Sequence, residues 1–194
     1  QWIQGHSYEM IFGQTDETVV KSTSRHKDYV NYFLGNDRSK WANRVGIYDK
    51  LSYYQIAEGI DLNWEINEGR MKYTFVVGDR ANLDDFRVQY GAIRGLRKHN
   101  ENLIITLPNL EVIEQAPIAY QLIDGERVSV DCSFQLDRNQ VGYSVGEYDK
   151  DYTLFIDPVV VASTNVGATI TTYGHSATFD QFGNIYGGGR PLGT

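Results

Sequence analysis

The chain has 194 residues, a formal net charge of -7 and a composition with 14 Tyr and 19 Gly but only 4 Pro and 2 Met. Tyr and Gly are typical of strands and turns, so this composition predicts an all-β protein. The negative charge disfavours binding to nucleic acid and to anionic membrane surfaces, because both would be repelled. A single cysteine, Cys132, excludes an internal disulfide and a multi-thiolate metal site.

Membrane insertion is not expected, because no run approaches the ~20 apolar residues that a spanning helix needs. The sequence begins at Gln1 without an initiator Met or a signal segment. We therefore expect a processed or trimmed piece of a larger protein.

The first third of the chain shows only short strand patterns. They lie at 8–12, 18–20, 29–34 and 45–48, with Gly13 and residues 22–27 as connections. Turn formers surround Trp41 at residues 36–43, so we expect Trp41 to anchor a loop at the edge of the core.

The clearest pattern is an alternation of apolar and polar residues at positions 60–77. Its apolar positions are Ile60, Leu62, Trp64 and Ile66, followed by Met71, Tyr73, Phe75 and Val77. A period of two indicates strands, and residues 67–69 between the runs predict an antiparallel hairpin with a bulge-type connection. We expect this hairpin near the centre of the domain, with Trp64 buried.

The remaining chain predicts further hairpins. Strand patterns occur at 87–90, 93–98, 103–107, 111–114, 118–123, 128–136 and 141–145, with turns at 99–102, 124–125 and 137–139. Residues 81–86 lack alternation and predict one helical turn. Turn signals every 8 to 15 residues are typical of sandwiches and open barrels, so we expect an antiparallel β-sandwich-like domain built of hairpins.

Two features organise the C-terminal part. Pro158 cannot donate to a strand ladder, so Asp157-Pro158 indicates a sheet edge, a bulge or a crossing between sheets. Past Asn165 the composition shifts to Gly, Thr and Ser. We therefore predict an all-β N-terminal domain at 1–164, followed at 165–194 by a linker and the first hairpin of a β-repeat domain.

Residues that could carry chemistry do not converge at short spacings. His6, His26, His99 and His175 are scattered, which favours surface or loop positions. Cys132 alternates with apolar neighbours and is expected to be a buried apolar side chain. We assign no catalytic residue, no cofactor-binding residue and no metal ligand, and expect a protein that is not an enzyme.

Three acidic features leave alternatives open. Asp61, Asn63 and Glu65 share one strand face and could present oxygens to Ca²⁺ or two carboxylates to a glycosidic bond, although the solvated face of a half-buried strand also explains them. Asp84-Asp85 fits a turn or a helix N-terminus. A turn with Asp180 and Asn184 could hold Ca²⁺, but a β-turn needs the same residues. No other cofactor is expected.

Exposed aromatic side chains could stack on a sugar ring. The candidates are Tyr53, Tyr54 and Trp64. In a β protein, however, closely spaced aromatic residues are more typical of the core.

Five ordered segments resemble one known family. They are YFLGNDRSKW at 32–41, YDKLSYYQIAEGIDLNWE at 48–65, MKYTFVVGDRANLDDFRVQYGA at 71–92, APIAYQLIDGERVSV at 116–130 and TLFIDPVVVAST at 153–164. Together they resemble the N-terminal domain of bacterial surface proteins that carry SBBP-type β-propeller repeats. The segment at 180–186 is similar to the Asp-x-x-Gly-Asn-Ile-Tyr core of those repeats, although a simple C-terminal hairpin would use the same turn residues.

The resemblance implies an extracellular or surface-attached protein, often exported by type IX secretion, with no catalytic residues in this domain. We therefore expect a non-catalytic β module at the N-terminal end of a large secreted or cell-surface protein, serving adhesion, gliding motility or surface assembly. Its expected partners are other domains of the same chain, surface proteins or glycans. The alternative is an accessory or carbohydrate-binding domain of a secreted hydrolase.

Overall fold

The computed structural model describes residues 7–13, 15, 17–33, 35–67, 70–108, 110–158, 160–161, 172–179 and 185–191. These ranges contain 17 strands, one short 3-10 helix at Arg38–Lys40 and, within the described residues, no α-helix. The all-β prediction is confirmed.

The strands are β1 (Glu9–Ile11), β2 (Val19–Tyr32), β3 (Ala42–Ala57), β4 (Ile60–Asn67), β5 (Arg70–Val77), β6 (Val88–Gly91), β7 (Gly95–His99), β8 (Asn102–Thr106), β9 (Glu111–Glu114), β10 (Ile118–Ile123), β11 (Glu126–Val130), β12 (Cys132–Asp137), β13 (Gln140–Val145), β14 (Leu154–Asp157), β15 (Val160–Val161), β16 (Thr172–Phe179) and β17 (Ile185–Pro191).

The strands form three sheets and a separate hairpin. The large sheet has seven strands in the order β11-β10-β14-β5-β4-β3-β2. Two four-stranded sheets have the orders β1-β6-β13-β12 (the β13 sheet) and β15-β9-β8-β7 (the β8 sheet), and β16 pairs with β17. All strand pairs are antiparallel, as expected for a domain built of hairpins.

The core lies between the large sheet and the two smaller sheets. Phe75 on β5 is fully buried, and its ring centroid lies 5.5 Å from Tyr73 on the same strand, 5.4 Å from Tyr143 of the β13 sheet and 5.1 Å from Phe86. Leu103 of the β8 sheet belongs to the same buried cluster. One aromatic-rich core between facing sheets is the arrangement of a sandwich-like domain.

The predicted central hairpin is formed by β4 and β5. Leu62 pairs with Phe75 and Trp64 pairs with Tyr73, so their side chains share the buried face. Trp64 is 8% exposed, which confirms its expected burial. The predicted bulge-type connection at 67–69 is wrong, because Asn67 pairs directly with Arg70 and only two residues separate the strands.

Two other loops are also shorter than the sequence predicted. His99 pairs with Asn102, and Asp137 pairs with Gln140, so each connection has two residues rather than four or three. Asn100 and Glu101 adopt φ values of 48° and 64°, which are typical of the type I′ turns whose twist matches that of the flanking strands. The predicted turn at Asp124-Gly125 is confirmed.

The strand boundaries near the sheet ends differ from the prediction. Residues 22–27, expected to be a connection, belong to β2, and the strand expected at 45–48 extends over the 16 residues of β3. The strand expected at 128–136 breaks at Asp131 into β11 of the large sheet and β12 of the β13 sheet. In both regions, pairing with a distant strand decides the boundary.

The predicted helical turn at 81–86 is a turn without helix. The Nδ2 of Asn82 donates to Asp85 Oδ2 at 2.6 Å, and Asp84 N donates to Asn82 Oδ1 at 3.1 Å. These side-chain hydrogen bonds satisfy polar groups of the segment without a helix.

The chain crosses between sheets at Asp157-Pro158, as one of the sequence alternatives predicted. β14 lies in the large sheet and β15 lies in the β8 sheet. The hairpin expected in the C-terminal segment is present as β16 and β17, with longer strands than expected. Its turn at 180–184 lies outside the described residues, and the boundary near 164 stays a prediction.

Candidate interaction surfaces

Asp61, Asn63 and Glu65 lie on the outer face of the large sheet, which points away from the core. Asp61 Oδ1 accepts a hydrogen bond from Gln55 N at 2.8 Å, and Glu65 Oε1 lies 2.9 Å from Lys50 Nζ. Four residues of strand separate the two carboxylates by ~13 Å. Paired glycosidase carboxylates lie only about 5–9.5 Å apart, so this spacing does not suit that chemistry.

The other predicted polar candidates are also dispersed. His26 on β2 contacts Asp49 on β3, with Nε2 to Oδ1 at 2.6 Å, and His99 is exposed at the end of β7. His175 lies in β16, whereas His6, Asp180 and Asn184 lie outside the described residues.

Within the described ranges, no three His, Cys, Asp or Glu side chains are placed to hold a metal ion. We expect elemental analysis of the purified protein to find no stoichiometric zinc or iron, because their usual ligands do not converge here. One equivalent of either metal would contradict this prediction. Bound Ca²⁺ would instead point to an acidic turn.

Cys132 is half-buried and packs against the core. Burial raises the pKa of its thiol to about 11. At neutral pH the group is therefore a thiol, which is a poor nucleophile. Its environment agrees with the apolar role expected from the sequence, although its burial is partial.

The aromatic candidates for sugar stacking divide between the two faces of the large sheet. Trp64 and the hydroxyl group of Tyr53 are buried. Tyr54 is exposed, with Lys21 Nζ 5.1 Å from its ring centroid.

A second cluster on the outer face of the large sheet was not predicted from the sequence. Tyr120 stacks on Phe155 at 5.1 Å, and the guanidinium of Arg127 lies 3.7 Å above the Tyr120 ring. The three residues come from β10, β14 and β11, so only the sheet pairing brings them together.

The most prominent exposed element is a two-stranded arm. β3 pairs with β4 only from Lys50 to Ala57, whereas its pairing with β2 continues to Ala42. Residues 25–32 of β2 and 42–48 of β3 therefore form a two-stranded ribbon that extends past the end of the β3–β4 pairing. We call residues 25–48 the arm. Nearly all of β2 is exposed to solvent.

The arm and its base, which comprises residues 19–24 and 49–50, carry a charge opposite to that of the rest of the chain. Residues 19–50 contain seven Lys or Arg and three Asp or Glu, a formal charge of +4, within a chain of net charge -7. The remaining residues therefore carry -11. Such an asymmetry directs anionic partners to the arm and away from the rest of the protein.

Cations and aromatic rings form pairs along the arm. The guanidinium carbon of Arg44 lies 5.4 Å from the Tyr29 ring centroid, and that of Arg38 lies 5.5 Å from the Trp41 ring. Both distances fall within the range of cation–π contacts. This pairing holds the rings and the positive charges together on an exposed surface.

Trp41 anchors the connection at the tip of the arm. Its Nε1 donates to the Gly35 carbonyl at 3.2 Å, and its ring packs edge-on against Phe33 at 5.3 Å. The sequence correctly predicted a loop anchor. These contacts, however, lie within the arm rather than at the core edge where the sequence placed it.

Glu114 links all three sheets from inside the core. This fully buried residue on β9 accepts hydrogen bonds from Tyr73 Oη of β5 and, at 2.8 Å, from Tyr90 Oη of β6. Burial raises the pKa of the Glu114 carboxyl, while the two tyrosine hydrogen bonds oppose the rise. Glu114 and the buried Val112 lie on the same face of β9. The alternation of this segment in the sequence therefore indicated that an acidic residue would be buried.

No helix in the described part of the chain is long and apolar enough to cross a membrane. Comparison with curated proteins and with solved structures finds no match. A comparison with family profiles does find one, covering residues 1–159 and described as a domain of unknown function. The chain therefore belongs to the DUF7948 family.

Proposed function

We propose that this chain is a non-catalytic β module at the N-terminal end of a large secreted or cell-surface protein, and that it serves adhesion, motility or surface assembly. The observation that carries the proposal is the exposed arm, which presents aromatic rings and positive charges on a ribbon anchored in the large sheet. An element of this kind suits contact with a large partner better than enclosure of a small substrate.

The arm has features that allow an edge strand to be exposed to solvent without aggregating. β2 is the edge strand of the large sheet and would offer unpaired backbone groups to another chain. Lys21, Arg25 and Lys27 lie along it, and the β2–β3 register shifts between Arg25 and Tyr29. Charges and bulges are both devices that protect edge strands from aggregation.

The surface location rests on the resemblance to the N-terminal domains of proteins with SBBP-type repeats. In this proposal the hairpin of β16 and β17 opens the following β-repeat domain, which is the partner within the same chain. Export by type IX secretion belongs to the same proposal.

Two measurements test this function. The gene beyond Thr194 should encode further Asp-x-x-Gly-Asn repeats at a spacing of about 40–50 residues. Intact cells of the source organism should expose the domain to added protease. A gene without such repeats would remove the propeller, and a domain protected inside intact cells would overturn the surface location.

The second candidate function is an accessory, carbohydrate-binding domain of a secreted hydrolase. The exposed ring of Tyr54 on the outer face favours it, because an exposed aromatic ring can receive a sugar ring. A hydrolase domain encoded in the same gene would support this candidate, and repeats alone would contradict it.

A further inference from the structure

Pairing between β2 and β3 places cations and rings on one continuous face. Thr23 pairs with Lys50 and Arg25 pairs with Tyr48, so these side chains point to the same side of the ribbon. Lys50 also pairs with Glu65, which identifies this side with the outer face of the large sheet. The outer face therefore continues along the arm.

Arg25 and Tyr48 converge over Gly46. A Cβ atom at Gly46 would lie 3.1 Å from Arg25 Nε and 3.0 Å from Tyr48 Oη, so both side chains use the space that glycine leaves open. Tyr29, which pairs with Gly46, carries Arg44 over its ring. Tyr29 and Tyr48 are 49% and 37% exposed, so much of each remains accessible to a partner.

The cation–aromatic pairs are widely spaced. On β2, the pair of Lys21 with Tyr54 and the pair of Arg25 with Tyr48 lie four residues apart, or ~13 Å along a strand. The register shift before Tyr29 brings the pair of Arg44 with Tyr29 closer, because its partner Gly46 lies only two residues from Tyr48 on β3, or ~7 Å. A nucleic acid strand places one charge about every 3.4 Å. The cations of the arm are therefore spaced too widely to match a phosphate backbone. The negative charge of the remaining protein would repel the phosphates that have no cation beside them.

A linear polysaccharide with one carboxylate for every two sugar rings has the complementary pattern. Its separated charges can meet the separated cations, and the apolar faces of the intervening rings can lie on the tyrosines. The +4 charge of residues 19–50 beside the -11 of the remaining chain would confine such a polymer to the arm and its base.

We propose that the outer face of the arm binds a linear acidic polysaccharide whose carboxylates contact Arg25 and Arg44 and whose sugar rings stack on Tyr29 and Tyr48. This inference rests on the proposed function and identifies the chemical class of its partner.

The test uses hyaluronan oligosaccharides, which carry one carboxylate per disaccharide, and the full 194-residue chain at low ionic strength in a titration calorimeter. Binding should weaken as salt is added. The double variant Arg25→Ala/Arg44→Ala should bind roughly tenfold more weakly, since two exposed charge contacts are lost. The matched control Arg80→Ala/Arg94→Ala removes two exposed arginines outside the arm and should bind as the unchanged protein does.

A second variant separates ring stacking from simple charge attraction. Tyr29→Leu/Tyr48→Leu keeps the cations and the apolar character of the arm but removes both rings, and it should also weaken binding. Circular dichroism of each variant confirms that the sheets remain folded. Unchanged binding by this variant would overturn the proposal, because attraction to any polyanion would then suffice.

Three other results would also overturn the inference. They are no binding of hyaluronan by the unchanged protein, tighter binding of single-stranded DNA, and self-association in sedimentation that disappears in Arg25→Ala/Arg44→Ala. The last result would make a second copy the occupant of the arm. If the domain is exposed on cells but hyaluronan does not bind, the polysaccharide inference fails alone, whereas a domain protected inside cells contradicts the proposed function itself.

Discussion

Replacing Trp64 by alanine is expected to lower the free energy of unfolding by about 3–5 kcal/mol. The indole is almost completely buried and packs 5.7 Å from Phe12 and 5.1 Å from Tyr73, measured between ring centroids. Its Nε1 has no hydrogen-bond partner within the described residues, so the loss would come from packing. Urea denaturation followed by circular dichroism measures the change.

Trp41→Ala is the matched control, because it removes the same side chain from the arm. Trp41 is only half-buried and contacts Phe33 and Arg38 rather than the core. Its replacement should cost less than about 1.5 kcal/mol. Equal losses in the two variants would contradict the division into a packed core and an exposed arm.

Replacing Glu114 by leucine is expected to cost about 2–5 kcal/mol, because two buried tyrosine hydroxyls would lose their acceptor. Those hydroxyls belong to Tyr73 and Tyr90, whose pKa values burial raises well above the ordinary tyrosine value, so both groups are protonated and donate. Glu114→Gln keeps the shape and one acceptor oxygen, and it should cost less. A leucine variant as stable as the unchanged protein would contradict a role for Glu114 in joining the three sheets.

The Glu114 carboxyl should also make stability depend on pH. Its folded-state pKa lies above the ordinary value of 4.5, because burial disfavours the charged form. The contribution of the neutral acid is fully present below the unfolded-state pKa and is lost as pH rises through the folded-state pKa. The difference in unfolding free energy between the unchanged protein and Glu114→Gln should therefore be larger at pH 4 than at pH 7. Parallel pH profiles for the two proteins would show that burial does not perturb this carboxyl.

Variants of the exposed arm and variants of the packed core test different properties of the protein. Substitutions at Arg25, Arg44, Tyr29 and Tyr48 change an exposed surface, so they can test binding without a large loss of stability. Substitutions at Trp64 and Glu114 test the fold and leave the arm unchanged. A binding defect in an arm variant with unaltered unfolding free energy would therefore report on the partner alone.

Features that depend on neighbouring residues could be predicted from the sequence. Alternation at 60–77 predicted the β4–β5 hairpin and the burial of Trp64, because side chains of successive strand residues point to opposite faces. Pro158 predicted a break in the ladder, since it has no N–H to donate, and a crossing between sheets was one of the alternatives that followed.

Strand ends and strand pairing, in contrast, depend on contacts between distant parts of the chain. Residues 22–27 are polar and lack a buried face, so their alternation carries no apolar signal, yet pairing with β3 continues the strand through them. The break at Asp131 appears only when β11 and β12 join different sheets. The site at Glu114 likewise required the fold, because its partners Tyr73 and Tyr90 lie 41 and 24 residues away and are brought to it by the packing of three sheets.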